Sequence, residues 1–221
     1  MPTFPGIDIA TLLASPRLPA IARRINDELR DEAARRHRFY EDMTDDCKME
    51  FIHGEVIMHS PARARHMWAK DNVLRMMQNF VIERDLGYVM DEKALCIFER
   101  NDYEPDIVFF GTEKSAQIAP QTMKFPVPDL AVEVLSKSTE NRDRGVKFQD
   151  YEAQGVREYW IIDSEQRSVE QYIEREGRYE LKLKSTSGDI ESEVISGFRV
   201  PIAAFFDDKL SLQVMKTLLV G

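Results

Sequence analysis

The sequence of 221 residues has only two cysteines, no long apolar run and no excess of positive charge. Cys47 and Cys96 lack the spacing of metal ligands, and we expect no disulfide between them because nothing else indicates an oxidising compartment. No apolar stretch approaches the roughly 20 residues that cross a bilayer. The first residues lack the charged and apolar regions of a signal peptide. These absences predict a cytoplasmic protein without a membrane partner.

The charge balance is acidic, with a formal net charge of -9. A protein that coats nucleic acid normally has a basic face, so the composition argues against that class. An enzyme that acts on nucleic acid is not excluded, because metal ions can offset the acidity of a local site. The length is sufficient for one large domain, or for one domain with an extension.

The N-terminal part of the chain differs from the rest. Residues 1–19 are rich in proline and lack steady periodicity, which predicts a loosely docked arm. Apolar residues recur at helical spacing from Ala20 to about Met43, which predicts an amphipathic helix. The arginines of this helix fit two interpretations. They could bind phosphates or a partner, or they could form an ordinary solvent-exposed face. We therefore divide the chain into an N-terminal arm and helix over residues 1–40 and one domain over residues 41–221.

The larger domain alternates between predicted strands and helices. Two short strands flank a His53-Gly54 turn, and a longer strand pair flanks an Asn101-Asp102 turn. A helix between them has Trp68 on its apolar stripe and a stop signal at Gly87. The run over residues 130–135 is apolar on both faces and predicts a central strand.

The C-terminal half continues the same alternation. A helix is predicted over residues 140–154, with Gly155 as its C-terminal stop. A buried strand follows in residues 157–163, and an antiparallel hairpin over residues 168–184. The mixture predicts an α/β or α+β fold in which helices flank a central sheet.

Two acidic residues stand in apolar strands. Asp106 immediately precedes Ile107, and Glu133 lies between Val132 and Val134. An ionised carboxylate at such a place is costly unless it is paired, hydrogen-bonded or bound to a metal. Two carboxylates from adjacent strands that converge with a lysine would form an oxygen-ligand site for Mg²⁺. A site of this kind supports metal-assisted hydrolysis of a phosphodiester.

Several segments together resemble a known family: "EPDIVFFG", "VPDLAVEVLSKST", "DRGVKFQDY" and "GVREYWIID". With "MEFIHGEVIMHSP" upstream, they resemble the Uma-type family of restriction-endonuclease-like proteins over roughly residues 40–205. That family is similar to the PD-(D/E)XK nuclease superfamily, whose core is a mixed sheet flanked by helices. The resemblance implies a DNA endonuclease that depends on Mg²⁺ or Mn²⁺. Such folds often act as homodimers, with the N-terminal helix or the hairpin as candidate interface.

The resemblance also implies roles for particular acidic residues. Asp106 and Glu133 correspond to the metal ligands of the superfamily. Glu50 matches the early glutamate of the family and would assist as a ligand of the metal or of water. His66 matches the helix-borne histidine, either as a contact near the cleft or as a histidine at the edge of the core.

The lysine of the superfamily pattern is absent from its usual position, which is Leu135 here. Lys147 matches a helix position of the family and is the favoured replacement. Lys137 would point to the same side of an extended strand as Glu133 and remains an alternative. Asp143 and Tyr151 lie one helical turn before and after Lys147. They either line the site or form an ordinary ion pair with a packed tyrosine.

Two other function classes remain open. One is a catalytically silent module that binds nucleic acid or mediates assembly, because the chain is acidic and has Leu135 at the lysine position. The other is an enzyme acting on RNA or on a small phosphoester. The sequence has neither a glycine-rich phosphate loop nor the elbow of a serine nucleophile.

Overall fold

The computed structural model describes residues 8–44 and 48–220. Cys47, and with it the expectation about the disulfide, lies outside the described residues. The first half of the chain consists of α1 (Ile9–Ala14), α2 (Leu18–Asp42), β1 (Met49–Ile52), β2 (Glu55–Met58), α3 (Ala64–Glu83), β3 (Gly87–Asp91), β4 (Leu95–Ile97), β5 (Asp102–Tyr103) and β6 (Ile107–Gly111). The second half consists of α4 (Thr112–Ser115), β7 (Lys124–Phe125), β8 (Leu130–Val134), α5 (Glu140–Asp143), α6 (Val146–Ala153), β9 (Glu158–Asp163), β10 (Ser168–Arg175), β11 (Arg178–Ser185), β12 (Asp189–Glu191), β13 (Arg199–Pro201), a 3-10 helix (Ile202–Phe206) and α7 (Asp208–Val220).

The main sheet has six strands in the order β11-β10-β9-β8-β6-β3. It is mixed, because β8 and β9 run parallel whereas the other neighbours are antiparallel. Strand β8 lies inside the sheet with all its residues buried, which confirms the predicted central strand. The hairpin of β10 and β11 is confirmed at one edge.

A second sheet has five strands in the order β2-β1-β5-β4-β7. The predicted strand pair over residues 87–111 is therefore wrong in detail: β3 pairs with β6 in the main sheet, and β4 pairs with β5 in the second. Asp102, predicted in a turn, lies in β5. Its buried carboxylate is paired with Arg36 and accepts a hydrogen bond from Tyr40 at 2.8 Å, which offsets the cost of burial.

Side chains of β8 alternate between two apolar layers. Leu130, Val132 and Val134 pack in the larger core, to which α3 contributes one face. Ala131 and Leu135 pack in the second core, together with residues of α6. Glu133 has the same parity as Ala131 and Leu135, so the strand presents it towards α6.

Helix α3 differs from prediction at two positions. Trp68 is 61% exposed, because the buried face is formed by residues such as Val73 and Met77. The helix ends at Glu83, and Gly87 opens β3 with a φ of +130°. A Cβ atom there would lie 2.0 Å from the Phe110 carbonyl oxygen, so close strand pairing requires this glycine.

The helix predicted over residues 140–154 is interrupted. The chain forms α5 and α6 instead, with Gly145 between them. A Cβ atom at Gly145 would lie 2.5 Å from the Asn141 carbonyl oxygen, so the break brings two backbone segments close together. Gly155 has a φ of +77° just after α6, as expected of a helix stop.

The predicted irregular arm contains the short helix α1, whose N-terminus is capped by Asp8 through the Thr11 amide. Helix α2 ends at Asp42 and so crosses the predicted boundary at residue 40, and the division into two parts stays a prediction. Residues 18–31 of α2 are mostly exposed. Contacts with the body include Glu32, which accepts hydrogen bonds from Arg100 at 2.6 and 2.8 Å. In the described part of the chain, no helix is long and apolar enough to span a membrane.

Candidate active site

Four charged residues meet between the two sheets and α6, and we call them the buried centre: Glu50, Glu133, Asp143 and Lys147. Glu50 comes from β1 and Glu133 from β8. Asp143 ends α5, and Lys147 lies in the first turn of α6. The break at Gly145 still leaves the last two one helical turn apart, so both reach the same point.

Lys147 lies at the middle of the buried centre. Its Nζ atom lies 2.8 Å from Glu50 Oε1, 2.9 Å from Glu133 Oε1 and 3.6 Å from Asp143 Oδ1. Tyr151, one turn further along α6, donates a hydrogen bond to Glu133 Oε1 at 3.0 Å. Only 1% of the Lys147 side chain is exposed, so its ammonium group faces carboxylates and not solvent.

The buried centre contains more acidic groups than basic ones. Burial, together with the neighbouring carboxylates Asp143 and Asp106, raises the pKa of Glu133 to about 8 against the charge of Lys147. Burial also raises the pKa of Asp143. For Glu50 burial acts in the same direction, but the charge of Lys147 and the contact with His59 outweigh it and lower the pKa to about 2. Within the centre the pKa of Glu50 is therefore lowered, whereas the pKa values of Glu133 and Asp143 are raised.

Asp106 lies beside this centre. Ile107 pairs with Val132, so Asp106 falls next to Glu133 at the end of the same strand pair. Its Oδ1 accepts a hydrogen bond from Lys48 at 3.0 Å, and its Oδ2 accepts one from the Val134 amide at 2.8 Å. Burial would raise the pKa of Asp106, but Lys48 and the other donors outweigh burial and hold this pKa well below its usual range. The carboxylate is ionised.

A second group of ligand atoms surrounds Asp106. His66, Glu92 and Asp106 each offer one atom, and these atoms lie within 4.8 Å of one another. His66 Nε2 lies 3.6 Å from Asp106 Oδ2. Carboxylate oxygens suit Mg²⁺ and Mn²⁺, whereas imidazole suits Zn, Cu, Fe and Ni. The donor set therefore fits a divalent cation.

The structure brings most of the predicted site residues together. Glu50, Asp143 and Tyr151 join Glu133 around Lys147, and His66 joins Asp106. Lys137, by contrast, is exposed on the loop after β8, so Lys147 is the lysine that reaches Glu133. Leu135 is buried among apolar side chains. Glu133 lies outside the group formed by His66, Glu92 and Asp106, and its role as a metal ligand stays a prediction.

Three residues of the site were not predicted: Lys48, Glu92 and His59. Lys48 has the strand parity of Glu50 in β1, which places both on one face and could have indicated it. Glu92 follows β3 directly, beside the strand that begins after Asp106. His59 Nε2 lies 2.9 Å from Glu50 Oε2. No local pattern marks Glu92, because the pairing of β3 with β6 brings it to the site. His59 directly follows the hairpin of β1 and β2, which places it near Glu50.

A mixed sheet flanked by helices, with acidic residues at the ends of two adjacent central strands, defines a protein of the restriction-endonuclease-like class. The chain belongs to the Uma2 family, described as "Putative restriction endonuclease", which matches residues 36–203. The predicted family and fold class are thus confirmed.

Two known proteins show the extent of this similarity. "Uncharacterized protein sll1609" of Synechocystis sp. is 32% identical over 127 residues, which are 57% of this chain and 71% of that protein. The crystal structure of a "putative nuclease belonging to DUF820" from Anabaena variabilis matches with a TM-score of 0.66 at 17% identity. The match covers 76% of this chain and 94% of that chain, and it supports the fold.

Proposed function

We propose that the protein is a metal-dependent endonuclease that hydrolyses phosphodiester bonds of DNA. The observation that supports this most directly is the ionised Asp106, buried beside Glu133 and grouped with His66 and Glu92. A buried anion that keeps its charge, next to two further ligand groups, is suited to bind a cation. The family supports a nuclease, and the choice of DNA and of the metal is our proposal.

Mg²⁺ or Mn²⁺ is the proposed cofactor. Asp106, His66 and Glu92 would hold it, with Glu133 as the further acidic ligand predicted from the sequence. When bound, such an ion would supply positive charge that offsets the negative charge developing on the scissile phosphate. The ionised state of Asp106 means that a ligand oxygen is available at neutral pH without loss of a proton.

The buried centre would hold the acidic residues in place. Lys147 and Tyr151 both donate to Glu133 Oε1, which fixes the orientation of that carboxylate. Glu50 is held through its Oε1 atom by Lys147 at 2.8 Å and by the Glu104 amide at 3.1 Å. The sequence-based prediction that Lys147 acts on the attacking water or on the phosphate requires its Nζ to leave these partners.

The proposed function predicts cleavage of duplex DNA by the purified protein in Mg²⁺ or Mn²⁺ and none in excess chelator. Gel analysis of an end-labelled duplex measures this, with single-stranded DNA and RNA of the same sequence as matched substrates. Faster cleavage of RNA than of DNA would show that RNA, and not DNA, is the substrate. Binding of DNA without cleavage in either metal would contradict the proposal and support the silent module.

We also propose that the protein is a homodimer joined through α2. Ile21, Ile25 and Leu29 recur at every fourth residue on one face of the helix, and Ile25 and Leu29 are each 48% exposed. An apolar stripe of this spacing packs well against a second helix. The hairpin is a poorer interface, because its edge strand β11 is rich in charged residues that discourage pairing.

A variant with both Ile25→Asp and Leu29→Asp is therefore expected to be monomeric, because two charges would have to be buried in the interface. Sedimentation velocity at micromolar concentration measures the change from the dimeric wild type. Ala20→Asp adds one negative charge on the opposite face of α2 and should leave the dimer intact. A monomeric wild-type protein would contradict this interface.

A further inference from the structure

We propose that Lys48, and not Lys147, is the cation that contacts the substrate phosphate. The inference rests on the proposed function, and it concerns a residue that the sequence analysis does not predict for the site. The two lysines differ in exposure, in their number of partners and in their place relative to the acidic residues.

The first difference is access from solvent. The exposed fraction of the side chain rises from 1% at Lys147 through 7% at Asp106 to 16% at Lys48. Glu92, beside Asp106, is 34% exposed. The site therefore opens on the side of Lys48 and Glu92. A phosphodiester that approaches Asp106 from this side meets Lys48 before it can reach Lys147.

The second difference is hydrogen-bonding capacity. An ammonium group has three donors. Lys147 donates a hydrogen bond to Glu133, lies 2.8 Å from Glu50 and forms a longer ion pair with Asp143 at 3.6 Å. Moving towards a substrate would leave these three acidic residues without their cation. In the described part of the chain, Lys48 donates a single hydrogen bond, to Asp106 Oδ1. It can keep that contact and still donate to a phosphate oxygen.

The third difference is the position of each lysine relative to Asp106, the proposed metal ligand. Lys48 lies 3.0 Å from Asp106, the residue with the strongest case as a metal ligand, on the side of Oδ1. Lys48 immediately precedes β1 and is two residues from Glu50, so both side chains lie on the same face of the strand, towards the site. Lysine binds phosphate as a mobile point charge, which suits a group at the entrance. Lys147 is then a positioning residue that holds Glu50 and Glu133.

The test is the salt dependence of DNA binding, which counts phosphate contacts. For duplex DNA, each contact contributes a slope of about -0.9 to the plot of log Kobs against log salt concentration. We expect Lys48→Met to reduce the slope by about 0.9 and to weaken binding about tenfold at low salt. Lys48→Arg should retain the slope. Fluorescence anisotropy with a labelled duplex in chelator measures both quantities, and kcat/KM in Mn²⁺ should fall in the Met variant.

Two further variants separate contact from positioning. Lys216→Met removes an exposed charge on α7 and should keep the wild-type slope. Lys147→Met should also keep the slope, even if its stability and kcat fall. A Lys48→Met protein with the wild-type slope would overturn the assignment, and so would a reduced slope in Lys147→Met alone. If the wild type neither binds nor cleaves DNA, the proposed function fails and the assignment fails with it.

Discussion

Replacement of Asp106 by Asn is expected to lower kcat for DNA cleavage by about a thousandfold while the fold is retained. The substitution removes the anionic oxygen that the proposed cation would bind and changes the side-chain volume little. The Asn carbonyl oxygen can still accept the hydrogen bond from the Val134 amide, which Asp106 Oδ2 accepts at 2.8 Å. The ion pair with the mostly buried Lys48 is lost, so a loss of stability accompanies the change.

Three measurements check this expectation. Single-turnover cleavage of a labelled duplex in saturating Mn²⁺ gives the rate, calorimetric titration gives the affinity for Mn²⁺, and circular dichroism reports the fold. Asp189→Asn is the matched control, because it breaks an exposed ion pair with Arg199 and should change none of the three. A folded Asp106→Asn protein that cleaves within tenfold of the wild type would remove Asp106 from the proposed site.

Most elements of the fold follow from local patterns, and the errors occur where distant contacts decide. The run Leu130–Val134 is apolar on both faces, and it is the buried strand β8. Trp68 has the spacing of an apolar stripe, but the helix packs on a different face and leaves it 61% exposed. The strands within residues 87–111 alternate between two sheets. That choice depends on long-range pairing, which spacing along the chain does not reveal.

The candidate site shows the same division. Glu133 could be singled out because a carboxylate in an apolar strand conflicts with its surroundings. Lys147 could be paired with it only through the resemblance to the family. Lys48 and Glu92 lie in polar segments and conflict with nothing locally. Their importance comes from the place where β1 begins and β3 ends relative to Asp106, which the folded arrangement determines.

Replacement of Lys147 by Met is expected to lower the free energy of unfolding by about 3–5 kcal/mol. The variant leaves Glu50, Glu133 and Asp143 together in a closed space without the ammonium group that lies 2.8, 2.9 and 3.6 Å from them. Met fills a similar volume, so the loss comes mainly from uncompensated charge. Urea denaturation of the metal-free protein measures it, and Lys216→Met should remain within about 0.5 kcal/mol of the wild type.

The loss of stability caused by Lys147→Met should be larger near neutral pH than in acid, as follows from the pKa values of the acidic residues around Lys147. In the wild type the pKa of Glu50 is about 2 in the folded state against an ordinary 4.5, so its contribution to stability is present above pH 4.5 and lost as the pH falls towards 2. Lys147 causes much of that shift, so its removal costs most near neutral pH and less below about pH 4.5.

Glu133 also makes the loss caused by Lys147→Met larger at higher pH, although its effect in the wild type is opposite to that of Glu50. Its pKa is raised to about 8 from 4.5, so the folded state loses stability as the pH rises through this range. Without Lys147 that pKa rises further and the loss grows. Adding Glu133→Gln to Lys147→Met removes one carboxylate and should therefore recover part of the stability at about pH 7.5 but little at about pH 4. An equal loss in Lys147→Met at both pH values would show that packing, and not the charge of the buried centre, accounts for the effect.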